Sequence, residues 1–236
     1  MSPHDKIVDI DGVKVMLDKA WAGPSVRAAL RSGSYERAER RVLAATLSPD
    51  DTYFELGSGI GVLATQAAGR VGDENVVAVE ADPAIAAVAR ETASRNGHVI
   101  DIRNIVLLHD PVEPTTPFYV FPDFRLSSLS PPPEGGGATN CLPNFQMIKV
   151  PTADAFGAIA SVGTSYLMVD IEGGEIDLLR RPLPDCVETV CVELHTQAAS
   201  IGVQSEMIVA LLTNGFDLDI GRSDLPVLLF TRRRSS

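Results

Sequence analysis

Apolar and polar positions fall into blocks of two kinds along the chain. Short, mainly apolar runs at Thr52 to Leu56, Val76 to Val79, Ile105 to Leu108, Tyr166 to Ile171 and Thr189 to Leu194 have the length of strands buried on both faces. Between them apolar residues recur at helical spacing, at Tyr35, Ala38, Val42 and Leu43, then over Val62 to Val71 and Ser205 to Asn214. Local signals agree with the periodicity: Asp82 is placed to cap a helix whose first turn takes Pro83, and Asn96-Gly97 closes it. Thr152 to Ala160 and Gly174 to Arg180 are predicted as shorter helices. The last two runs, Phe216 to Ile220 and Val227 to Thr231, are joined by so short a link that they predict an antiparallel pair. From Pro111 to Val150 regularity fails. Pro131-Pro132-Pro133 followed by Gly135-Gly136-Gly137 denies a helix or a central strand and predicts a long loop that closes over a ligand.

This alternation of strand and helix predicts an α/β domain with a mostly parallel sheet covered on both faces. Residues 1–50 read as a helical N-terminal cover, and 51–236 as the sheet domain with a loop insertion around 111–150. The 236 residues suit one domain at the usual ~100 to 200 residues per domain. A formal net charge of -11 opposes a phosphate backbone and predicts no nucleic-acid partner. No apolar run reaches the roughly 18 residues of a membrane span. Cys141, Cys186 and Cys191 form neither an even set nor a C-x-x-C pair, so a soluble protein of the reducing cytoplasm is expected.

Open parallel sheets bind ligands at the carboxyl ends of their strands. Here the first of those ends carries Gly57, Ser58, Gly59 and Gly61, whose glycines let a ligand approach the N-terminus of the following helix. Glu55 would repel a pyrophosphate there and attract an amino group, which favours a nucleotide bearing an amino acid, such as S-adenosylmethionine. Glu80, ending the second strand, is placed to accept the hydroxyls of a ribose, and Asp110, after the third, the amino group of an adenine. Asp170 with Glu172, and Glu193 with His195, are spaced so that each pair points to one side of its strand. Asp170 and His195 are the expected catalytic pair, orienting and deprotonating an acceptor. No metal is expected, the alternative being a cation on Asp170 and Glu172.

Phe54-Glu55-Leu56-Gly57-Ser58-Gly59-Ile60-Gly61, followed by Val79-Glu80, resembles the first two motifs of class I S-adenosylmethionine-dependent methyltransferases. The segment from Met168 to Leu179, with Asp170, Glu172-Gly173 and Glu175, resembles the FkbM-type members of that class. The likeness extends from Tyr35-Glu36 through Thr152-Ala153-Asp154 and Val192-Glu193-Leu194-His195 to Asn214-Gly215-Phe216. It implies a Rossmann-like fold, a seven-stranded sheet of order 3-2-1-4-5-7-6 ending in an antiparallel strand pair. It also implies methyl transfer to a hydroxyl oxygen of a small-molecule, sugar or lipid-linked acceptor. The first loop departs from the usual Asp-x-Gly-Ala-Asn-x-Gly of those proteins. Two alternatives stand beside this reading. Gly59 to Ala64 also fits the G-x-G-x-x-A of an NAD(P)-dependent oxidoreductase, and a cofactor-binding protein without turnover would show the same loop.

Overall fold

Strand β3, Tyr53–Leu56, buries all four of its residues and pairs in parallel on both sides, which places it in the interior of the sheet. The computed structural model describes residues 7–131, 145–195 and 200–234. On one side of β3 lie β4 (Val76–Val79) and β5 (Asp101–Arg103), and on the other β9 (Tyr166–Val169) and β10 (Thr189–Glu193), all parallel. Strand β12 (Val227–Arg232) runs antiparallel between β10 and β11 (Phe216–Leu218), giving the order β11-β12-β10-β9-β3-β4-β5. This is the Rossmann-like α/β sheet that the resemblance implied, antiparallel strand pair included.

Side chains alternate across the sheet and fill two cores. Phe54, Leu56, Val79, Val169 and Val192 share a cluster with α6 (Glu175–Leu179) and α7 (Ile201–Thr213). Tyr53, Ala78, Tyr166, Met168 and Cys191 share another with α2 (Arg37–Thr46), α3 (Val62–Val71) and α4 (Pro83–Arg95). Asp82 caps α4 as its position predicted, accepting from Ala84 N at 2.8 Å. Among the described residues, no helix is long and apolar enough to cross a membrane.

Four expectations are corrected. The first concerns the cover, which is not wholly helical: before α1 (Pro24–Ser32) and α2 it opens with a hairpin of β1 (Ile7–Ile10) and β2 (Val13–Met16). Asp11 and Gly12 turn it with φ of 47° and 90°, the positive angles that two-residue hairpins need. Val13, Val15, Val26 and Leu30 then pack with Ile60 and Val62, so the cover sits on the glycine loop. A second correction moves the third strand of the main sheet to β5; the apolar run after it forms β6 (Val106–Leu108), which leaves for a smaller sheet.

Third, the 111–150 stretch is not one long loop. It contains β7 (Thr115–Val120) and most of β8 (Gln146–Asp154), paired antiparallel, with β6 on the other side of β8. Pro117 is tolerated because β7 is an edge strand. Fourth, Thr152 to Asp154 continue β8, and α5 (Ala155–Ser161) starts after them because Asp154 caps it, accepting from Gly157 N at 2.5 Å. Most of the Pro131 to Gly137 run read as a closing loop lies outside the described residues.

Candidate functional site

The carboxyl ends of β3, β4, β9 and β10 open into a cavity of about 830 Å³. Its remaining wall comes from the start of α2 in the cover and from Phe118, Phe124 and Arg125 of the inserted region. Gly57, Gly59, Glu80, Asp170 and His195 all line it; Glu55, Ser58, Gly61 and Asp110 are not among its lining residues.

Two of the glycines are needed for different reasons. A Cβ on Gly57, at φ +83°, would lie 1.7 Å from the backbone oxygen of Asp170, so the loop can cross the end of β9 only without a side chain. On Gly59 a Cβ would approach the Tyr35 hydroxyl to 2.9 Å, with Glu36 Oε1 and Phe124 next nearest. The cover therefore presses on the loop from above.

Glu80 is held rigidly. Its Oε2 accepts from Gly59 N at 2.9 Å and its Oε1 from Asp82 N at 2.8 Å, while Asn104 Nδ2 donates to the Glu80 and Ala81 carbonyls. Burial pushes its carboxyl up to about 7 against the pull of those two N–H groups. Beyond it Ile105, Leu107 and Phe118 make an apolar wall.

On the other side the parallel register sets Val169 beside Val192, so Asp170 and Glu193 follow one another on adjacent strand ends. His195 Nε2 lies 3.3 Å from Asp170 Oδ1, 3.5 Å from Glu172 Oε2 and 3.7 Å from Glu193 Oε2. Its Nδ1 lies 3.2 Å from Glu175 Oε1, and Glu175 Oε2 accepts from Gly173 N. Burial opposes charge on the imidazole, but hydrogen bonds to Asp170 and Glu175 and the Asp170 and Glu172 charges push it up to about 11. Burial, opposed by the His195 charge and reinforced by Asp170, raises Glu172 to about 7. Burial and then the charges of Asp170 and Glu39 raise Glu193 to about 9. Asp170, Glu193 and His195, and not Glu172, are the residues here with donor atoms close enough to share a cation.

Two expected cofactor contacts fall elsewhere. Glu55 is 1% exposed within β3, on the face of Tyr53, and burial followed by the Asp170 charge raises its carboxyl well above the ordinary range. Asp110, 83% exposed in its side chain, pairs with His109 Nε2 at 3.0 Å, because the strand that was to carry it belongs to the smaller sheet. Glu36, Glu39 and Glu175 joined the site without being singled out for it. Nothing in a lone sequence says that the start of α2 faces the glycine loop.

No protein-family model matches the chain. A 63-residue segment, 27% of the chain, is 41% identical to 20% of a ribosomal protein L11 methyltransferase from Symbiobacterium thermophilum. A 53-residue segment, 22% of the chain, is 47% identical to 19% of a probable ribosomal RNA small subunit methyltransferase A from Methanosarcina acetivorans. The matched segments thus span about a fifth of each relative's length. Among solved structures, a methyltransferase from Pyrococcus furiosus superposes with a TM-score of 0.47 at 12% identity, over 95% of this chain and 91% of that one.

The relatives overturn one expectation. Both are named for ribosomal acceptors, one a protein and one an RNA, so the restriction to a small-molecule or glycan-type acceptor and the exclusion of nucleic acid are withdrawn. The net charge does not decide the acceptor, because it counts the whole chain whereas binding responds to the local field.

Proposed function

We propose that the chain is an S-adenosylmethionine-dependent methyltransferase acting on a hydroxyl oxygen. The observation that carries the reading is Glu80, fixed by Gly59 N and Asp82 N on the floor of the cavity. A carboxylate so placed keeps lone pairs free for both ribose hydroxyls. The apolar wall of Ile105, Leu107 and Phe118 suits an adenine. The acid-rich opposite end, with Glu36, Asp170 and Glu172, suits the positively charged methionine end and repels a pyrophosphate. That charge pattern favours this cofactor over NAD(P). When bound, the cofactor supplies an electrophilic methyl group on a sulfonium.

The protein's own contribution is alignment and removal of one proton. Asp170 orients the acceptor from the central strand end. His195 was expected with Asp170 to orient and deprotonate the acceptor, but its imidazole is held protonated by Asp170 and Glu175, so it serves as a fixed positive charge and donor. Glu172 takes the base role in this reading: it lines the cavity, and a carboxyl near 7 is matched to accepting a proton at neutral pH.

Calorimetry with S-adenosylhomocysteine and with NAD tests the cofactor: binding of the first and not the second is expected, and the reverse would overturn the reading. Labelled methyl transfer to ribosomal RNA and to ribosomal protein, with the product hydrolysed and the methyl located on oxygen or nitrogen by mass spectrometry, tests the acceptor atom. Methylation confined to nitrogen would remove the hydroxyl.

A further inference from the structure

One acid lining the cavity, the half-buried Glu36, stands where the N-terminal cover meets the glycine loop. Glu36 ends the link between α1 and α2 and stands at the start of α2 with φ 46°, a left-handed conformation that strains a non-glycine residue. Its Oε2 is buried and has no hydrogen-bond partner among the described residues. Its Oε1 is the second nearest atom to the place a Cβ on Gly59 would occupy, at 3.4 Å. An unpartnered carboxylate oxygen inside a protein is costly, so strain and desolvation are both sustained at one residue that lines the cavity. The Tyr35 side chain hydrogen-bonds this carboxyl, but burial and the charges of Glu55, Glu39 and Asp170 raise it well above the usual range, and none of these groups is positively charged.

We infer that Glu36, reaching from the N-terminal cover onto the glycine loop, is the residue that receives the ammonium group of the cofactor's methionine end. This rests on the cofactor reading above and replaces Glu55 in the role the sequence suggested. Glu55 is a strand residue that does not line the cavity, whereas Glu36 lines it beside the loop that would carry the ligand's backbone side. An ammonium offers three donors and a full positive charge, so it satisfies the orphan oxygen and neutralises the crowding of acids in one contact. It follows that the cover is part of the binding site and that residues 51–236 alone would present an incomplete one.

The test compares two ligands that share the nucleoside and differ in the amino-acid portion: S-adenosylhomocysteine, which carries the ammonium, and 5′-methylthioadenosine, which lacks it. Calorimetry on the full chain should show Glu36→Gln weakening the first by roughly tenfold or more. The second should change by less than about twofold, and its retained binding also shows that the variant's pocket is folded. Glu55→Gln should alter neither preference. If the wild type binds both ligands and Glu36→Gln leaves S-adenosylhomocysteine unaffected, the assignment of Glu36 fails while the cofactor reading stands. Parallel loss of both ligands in Glu36→Gln and again in Glu36→Ala also overturns it, since it makes the residue structural. A wild type that binds neither ligand overturns the cofactor reading and this inference with it.

Discussion

Glu175 and His195 form a buried pair, with Oε1 of the first 3.2 Å from Nδ1 of the second and side-chain exposures of 2% and 12%. Asp170 takes the other imidazole nitrogen at 3.3 Å, so the ring is held between two acids that flank the turn joining β9 to α6. Its folded value of about 11 lies above the ordinary value near 6.5. The group therefore contributes stability that is complete below about pH 6.5 and lost as pH rises toward 11. Glu172 and Glu193, raised to about 7 and about 9 from an ordinary value near 4.3, act in the same direction. The melting temperature should be highest on the acidic side of neutrality and fall steadily toward pH 10. Imidazole resonances of His195 should not titrate between pH 6 and 8 in the wild type, and in Glu175→Gln their midpoint should move down. A wild-type midpoint near 6.5 by NMR would contradict this charge assignment.

Glu172 should set the pH dependence of turnover. With its carboxyl near 7, the rate should rise through that pH as the base becomes available and then level off. Removing a positioned base costs ~10² to 10⁴ in rate, so Glu172→Gln should lower turnover by that order and abolish the rise. Asp170→Asn should lower turnover while cofactor affinity stays within a few fold. A pH profile of Glu172→Gln that keeps the wild-type inflection would assign the base elsewhere.

The fold was legible where one physical signal dominated. Strands β3, β4 and β9 are buried on both faces, and their short apolar runs, interrupted in β3 by Glu55 alone, say so without help from tertiary context. Asp82-Pro83 marks the start of α4 by local chemistry alone. The third strand was displaced because Asp101–Arg103 is an edge strand with only Ile102 buried, which leaves almost no apolar pattern, while the richer run after it pairs in another sheet. The site followed the same division. Gly57, Glu80 and Asp170 sit at strand ends that order and spacing reveal, whereas Glu36 reaches the glycine loop only through packing of the cover, and Glu175 meets His195 only because β9 and β10 pair side by side. Glu55 misled because a carboxylate beside a glycine loop reads as ligand-facing, and only the pleat of β3 shows that it turns inward.

Gly57 and Gly163 separate steric need from backbone strain. Both have positive φ, but a Cβ on Gly163 meets nothing within 4 Å, whereas on Gly57 it would overlap the Asp170 carbonyl. Gly163→Ala should cost only the left-handed penalty of roughly 1 to 2 kcal/mol. Gly57→Ala must also move β9 or the loop and should cost well beyond that. At roughly 2 to 4 °C per kcal/mol for a domain of this size, Gly163→Ala should melt a few degrees low, with Gly57→Ala much lower or unable to fold. Equal melting temperatures would show that the loop does not need to pass so close to Asp170.

Glu80 should be the residue on which nucleoside affinity turns. Its two oxygens already accept Gly59 N at 2.9 Å and Asp82 N at 2.8 Å, which fixes the carboxylate before any ligand arrives. Glu80→Ala removes the acceptors for both ribose hydroxyls, each charge-assisted bond being worth roughly 1.5 to 3 kcal/mol before water compensates, and leaves two loop N–H groups without their acceptor. Affinity for S-adenosylhomocysteine should fall at least tenfold. Because the ribose is common to both ligands, affinity for 5′-methylthioadenosine should fall to a similar extent, unlike the selective loss expected at Glu36. Glu80→Gln keeps the shape and one carbonyl acceptor and should lie between the alanine variant and the wild type. Calorimetry on the folded Glu80→Ala protein that returns unchanged affinity for either ligand would remove Glu80 from the ribose and with it the observation on which the functional reading stands.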